Sequence, residues 1–188
     1  MKPIRFKFNE RKAVQAAARL IAQSGGEMNY LALMKLLYLA DREALLKFGR
    51  TITGDKVTAM PHGPVLSRIY DRVSQKKQHL AKSYWHEFIQ RPAEYLYTVR
   101  FSGVPDVSAL SEAEVAILDR VFHRHRGKSE WDLVKLTHDL PEWKDPKGSS
   151  KPISFEAILE AGGKKALIPA LAEEAAADAF LDKALSAA

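Results

Sequence analysis

A chain of 188 residues with 46% apolar content is long enough for one well-cored domain, with or without an appendage. No run approaches the roughly 18 consecutive apolar residues of a membrane-crossing helix, and the basic start Met1-Lys2-Pro3-Ile4-Arg5-Phe6-Lys7-Phe8 lacks the apolar centre of a secretory signal. A charge of +6 suits an acidic partner or nucleic acid, and the absence of cysteine excludes disulfides, thiolate–zinc sites and thiol catalysis, as befits a cytoplasmic protein.

The first helix is predicted from Asn9 or Glu10 to about Ser24, where Val14, Ala17, Leu20 and Ile21 recur at helical spacing and Gly25-Gly26 follow. Asn29 suits an N-cap for a second helix, Tyr30 to Phe48, stopped by Gly49. Arg50–Ile52 and Lys56–Met60 read as a hairpin about a Gly54-Asp55 turn. Pro64, after the break Pro61-His62-Gly63, is expected in the first turn of a third helix reaching about Lys77. From Tyr84 to Phe101 the period becomes two. Tyr95, Tyr97, Val99 and Phe101 share one strand face, and an earlier strand near Trp85–Ile89 could pair with it across Arg91-Pro92-Ala93.

Ser111 with Glu114 forms a capping box for a helix to about His125, and Ser129 caps another through Asp139. Residues 145–152 read as loop, Ser154 opens a short helix that Gly162-Gly163 ends, and an Ala-rich helix runs from about Lys165 to Leu185. The sum is a mainly α (α+β) fold: a compact helical domain around a buried central helix at 30–48, with one or two small antiparallel hairpins. Residues 1–143 form the domain and 144–188 a loop plus helical extension.

On a wheel at 100° per residue, Tyr30, Leu33, Met34, Leu37, Tyr38, Ala44, Leu45 and Phe48 make one stripe, broken by Lys35, Arg42, Glu43 and Lys47 elsewhere. Asp41 falls inside the stripe, between Leu37 and Leu45. A carboxylate there needs donors, which the His62–Arg68 region, with the N-terminus of the expected third helix, can supply. Asp41 is thus expected to pin the Pro-His-Gly-Pro segment. Catalysis is the rival reading, but no second carboxylate or nucleophile shares its helix face.

The run Lys35-Leu36-Leu37-Tyr38-Leu39-Ala40-Asp41, then Gly49-Arg50, then His62-Gly63-Pro64-Val65 and Tyr70, resembles the Panacea domain of SocA-like antitoxins, clearly over about Asn29–Tyr70 and more loosely to Trp143. The resemblance implies a mostly helical domain that neutralises a co-encoded protein toxin by direct contact. In one member class it implies an adaptor that hands the toxin to a AAA+ protease of the ClpXP type. Lys35, Tyr38, Asp41, Gly63, Pro64 and Tyr70 carry over as family-pattern positions. His62 stands where the family commonly has an aromatic, and no DNA-binding helix-turn-helix of the kind some members add is evident.

Candidate toxin contacts are His62, Arg68, Trp85, Tyr95 and Tyr97, because aromatic side chains bring large contact area at low entropy cost. The alternative is a nucleic-acid-binding regulator, but the basic residues are scattered. The densest group, Arg120 with His123–Arg126, stands at a helix end where the dipole favours cations unaided. His123 and His125 diverge by about 200° on a helix and make a poor metal pair. Gly162-Gly163-Lys164-Lys165 lacks the spacing of a phosphate loop. Nothing points to a cofactor, a membrane or an enzyme. The tail Leu185-Ser186-Ala187-Ala188 has the small apolar character that AAA+ proteases grip.

Overall fold

The computed structural model describes residues 3–74, 83–92, 95–103 and 106–185. Helix α1 (Glu10–Gln23) starts where the Asn9 side chain accepts from the Lys12 amide, and it buries Val14, Ala17, Leu20 and Ile21. After strand β1 (Glu27–Asn29) comes α2 (Tyr30–Phe48), capped by the Asn29 side chain on the Leu31 amide and closed by left-handed Gly49. Both helices lie where their caps and periodicity predict.

The first hairpin differs from expectation. Strand β2 (Val57–Met60) pairs antiparallel with β3 (Gly63–Leu66), Met60 opposite Gly63, so Pro61-His62 form the turn. Arg50–Ile52 is not a strand, because the Ile52 and Thr53 amides that a ladder would need are taken by Asp41. Pro64 accordingly stands in β3, at a sheet edge where its missing N–H leaves no ladder bond unmade, rather than in a helix. Helix α3 (Ser67–Val73) begins after it, and its expected end near Lys77 lies outside the described residues.

Trp85 to Phe88 belong to a short helix, α4 (Tyr84–Phe88), with only β4 (Ile89–Gln90) extended. Strand β5 (Thr98–Phe101) pairs with β4 as expected and also, unforeseen, with β1, giving a sheet of order β1-β5-β4. Tyr95, Leu96 and Tyr97 precede the strand in a turn, held by Arg91, whose guanidinium donates to the Leu96 and Val73 carbonyls. Ala93 of the expected connection lies outside the described residues.

Helices α5 (Glu112–His125) and α6 (Glu130–His138) both open on full capping boxes, Ser111 with Glu114 and Ser129 with Asp132. The segment expected as loop contains β6 (Lys151–Ile153), which adds to β2 and makes a second sheet of order β3-β2-β6. Helix α7 (Phe155–Ala161) starts at Ser154, and after a 3-10 turn α8 runs Ile168–Leu185. The core gathers around α2, packed by α1, α5, α6, α7 and β3. The fold is mainly α with two small antiparallel sheets. No described helix is long and apolar enough to cross a membrane.

Candidate functional site

Lys35 and Asp41 show how α2 organises the molecule. Lys35, read as a break in the apolar stripe, is fully buried, and its Nζ donates to the Pro64 carbonyl at 2.8 Å. Burial pushes its ammonium down to about 7. Gly63 makes this approach possible. At φ +90°, a Cβ there would stand 2.7 Å from Thr137 Oγ1 and 3.0 Å from Lys35 Nζ. Lys35, Gly63 and Pro64 therefore meet in one place, with Thr137 and His138 of α6 on the other side.

Asp41 is buried, but its donors are not those expected. Oδ1 accepts from the Ile52 amide at 3.0 Å and the Thr53 amide at 3.0 Å, and Oδ2 accepts from the Thr53 hydroxyl. It therefore holds the Thr51–Thr53 loop, not the hairpin tip. Burial raises its carboxyl to about 7 against the opposing pull of these donors. The helix-capping task falls to Asp55, whose Oδ2 accepts from the Arg68 amide at 2.8 Å and the Ile69 amide at 3.0 Å. Its carboxyl is raised by burial to about 6. No local signal marked Asp55, because α3 begins at Ser67, after an uncapped Leu66, and not at Pro64 as expected.

Tyr38 donates to Glu142 Oε1 at 2.7 Å, and Arg42 Nε reaches the same oxygen at 2.6 Å. Burial alone would raise the Glu142 carboxyl, but the Arg42 and Tyr38 donors outweigh it and hold the group below its usual range. Burial raises the Tyr38 hydroxyl, and the adjacent Glu142 carboxylate raises it further. Glu142 lies in no periodic segment and carried no signal in the sequence. His138 stacks on Trp143 with centroids 3.9 Å apart, and Trp143 Nε1 donates to the Met60 carbonyl at 3.3 Å. Tyr70 is half-buried against the core.

The candidate contact residues divide. Trp85 is 1% exposed and belongs to the core, because α4 turns its ring inward, so it offers no outer contact area. Arg68 is exposed, its guanidinium 5.2 Å from the Phe8 ring centroid. Tyr95 and Tyr97 are 57% and 65% exposed, with Leu96 exposed between them. Tyr97 stacks on Tyr30 at 6.1 Å and accepts the Tyr30 amide through its carbonyl. Arg91 lies over the other ring of that pair, 4.9 Å from the Tyr30 centroid.

His62 at the hairpin tip meets Trp131 edge-on at 5.5 Å, and Trp131 is 58% exposed. Asn29 Nδ2 donates to Glu130 Oε1 at 3.1 Å, tying the start of α2, where Tyr30 stands, to the start of α6, where Trp131 stands. Two exposed aromatic pieces result, Tyr95 and Tyr97 beside the half-buried Tyr30, and Trp131 with His62; the Asn29–Glu130 hydrogen bond ties the elements that carry them, and together they make up an aromatic arc. On a wheel Trp131 lies about 200° from Leu133 but only about 60° from Val134, so it stands at the margin of the stripe that buries α6.

Compared with known proteins, residues 33–144 match the family model described as antitoxin SocA-like, Panacea domain. No curated protein and no solved structure matches the chain.

Proposed function

We propose, from the premise that this chain belongs to the SocA-like Panacea domain family of antitoxins, that it neutralises a cognate protein toxin by direct contact and performs no chemistry itself. The proposed place of action is the cytoplasm. The observation that carries the reading is the exposed aromatic arc. Trp131, Tyr95 and Tyr97 each leave more than half their surface open, and aromatic anchors dominate the energetics of protein interfaces. Two ionisable groups of α2 with perturbed protonation, Lys35 and Asp41, are sealed from solvent and engaged with backbone, which suits a scaffold.

The test is binding of the co-encoded toxin to purified variants. Trp131→Ala and Tyr97→Ala remove exposed rings and should leave thermal stability unchanged. Each is expected to weaken toxin binding by about 2 kcal/mol, roughly thirtyfold, and to reduce rescue of growth on co-expression. Undiminished affinity in the double variant removes the arc as the contact.

Delivery of the toxin to a AAA+ protease of the ClpXP type is a second mode, supported by Phe180, Leu181 and Leu185, exposed near the end of α8. Residues 186–188 of the small apolar tail lie outside the described residues. Deleting residues 180–188 should then prolong the toxin's half-life in cells while leaving its binding intact. An unchanged half-life leaves occlusion alone.

A further inference from the structure

A cavity of about 460 Å³ opens between the C-terminal half of α2, the end of α5 and the turn joining α7 to α8. Its volume lies in the range of small-molecule sites, roughly 300–1,000 Å³. Leu39, Leu46 and Val121 give it an apolar wall. Its polar lining is mostly cationic: Arg42, Lys47, Arg124 and Lys164, with the imidazole of His125, against the single acid Glu43.

These charges do not cancel. Glu43 is shared by Arg120 at 2.6 Å and Arg124 at 3.2 Å, and Arg42 is committed to Glu142. Neither Lys47 nor Lys164 has an ion-pair partner among the described residues, and Lys47 lies 5.2 Å from the Phe48 ring centroid. The fold brings Lys164 here deliberately. Gly162 packs closely on α2, where a Cβ would stand 2.2 Å from Leu46 Cδ2, so a larger residue there would have to displace the Leu46 side chain. Burial lowers the proton affinity of His125 first, and Arg124 and Lys128 lower it further against the pull of Glu43. Like charges gathered without an anion repel one another, and an anion bound among them relieves that repulsion.

We propose that this cavity binds a small organic phosphate of nucleotide size, with Lys47 and Lys164 holding the phosphate and Leu39, Leu46 and Val121 packing against the rest. An inorganic anion alone would leave the apolar wall and most of the volume unused. The site is separate from the aromatic arc and does not depend on the toxin reading.

Calorimetric titration of the full chain with AMP, inorganic phosphate and adenosine tests it. AMP should bind at least about tenfold more tightly than inorganic phosphate, and adenosine should give no heat. The double variant Lys47→Ala, Lys164→Ala changes two exposed side chains, so its melting temperature without ligand should match wild type while AMP affinity falls at least about tenfold. Lys144→Ala, Lys147→Ala, outside the cavity, should bind AMP like wild type. Four results would each overturn the proposal: no AMP binding at about 1 mM, equal binding of adenosine, equal loss in the control variant, or binding of a single-stranded oligonucleotide without AMP.

Discussion

Asp41 and Lys35 share a helix and a fate, burial with one kind of partner, yet they set opposite pH slopes. For Asp41 the folded carboxyl titrates at about 7 and the unfolded one near 3.8. Between those values the folded state holds a proton that the unfolded chain has released, so this stabilisation is full below about pH 4 and is lost as pH rises to about 7. Asp55, raised to about 6, acts in the same direction. Asp41→Asn keeps an acceptor for the Ile52 and Thr53 amides but cannot ionise. Urea unfolding from pH 4.5 to 8 should show wild type losing a few kcal/mol relative to the variant. A constant gap would mean that Asp41 is ionised throughout. Lys35 is lowered from 10.5 to about 7, so the folded state binds fewer protons between these values and stability rises with pH there. Lys35→Met should flatten the rise between about pH 7 and 10. A rise that persists would assign it to other groups.

At the scale of the element, the β2–β3 hairpin is the piece most dependent on its neighbours. Its two-residue turn ends at Gly63, whose backbone at φ +90° is closed in by Thr137, Lys35 and His138. Gly63→Ala therefore adds a strained conformation to a steric clash, and chemical denaturation should report a loss of about 2–4 kcal/mol. Because His62 sits on this turn against Trp131, the same variant should also disturb toxin binding, whereas His62→Ala should leave stability nearly unchanged. Wild-type stability in Gly63→Ala would show that the hairpin can move away from α6.

For the whole molecule, the family match ends at residue 144 but the packing does not. Strand β6 completes the sheet on β2, and Ile153, Phe155, Ile158 and Leu159 are buried behind it. The N-terminus is tied there too, through the Ile4 amide on Glu156 Oε1 at 2.6 Å. Burying each such side chain contributes about 1.5–3 kcal/mol, so removing all four approaches the net stability of an ordinary domain. A chain cut after residue 144 should fail to give a cooperative melt. A cut after Ala179 removes Phe180, Leu181 and Leu185, all exposed, and should melt within about 1 kcal/mol of the full chain. Equal melting of the shorter fragment would make residues 145–179 dispensable.

The helix limits were legible in the residues themselves. Asn29 with Gly49, Ser111 with Glu114, Ser129, and Ser154 with Gly162 mark ends that the structure reproduces, because a cap bonds to amides only two or three positions away. The need of Asp41 for donors was equally legible, since helical period alone places it among apolar neighbours. Which groups meet that need was decided only in three dimensions. The Thr51–Thr53 loop, Asp55 over α3, Glu142 beside Arg42, β6 on β2, the burial of Lys35 and Trp85, and the cations around Leu46 all join residues distant in the chain. No local periodicity encodes such meetings; they follow from how the elements pack once the apolar faces of α2 are covered.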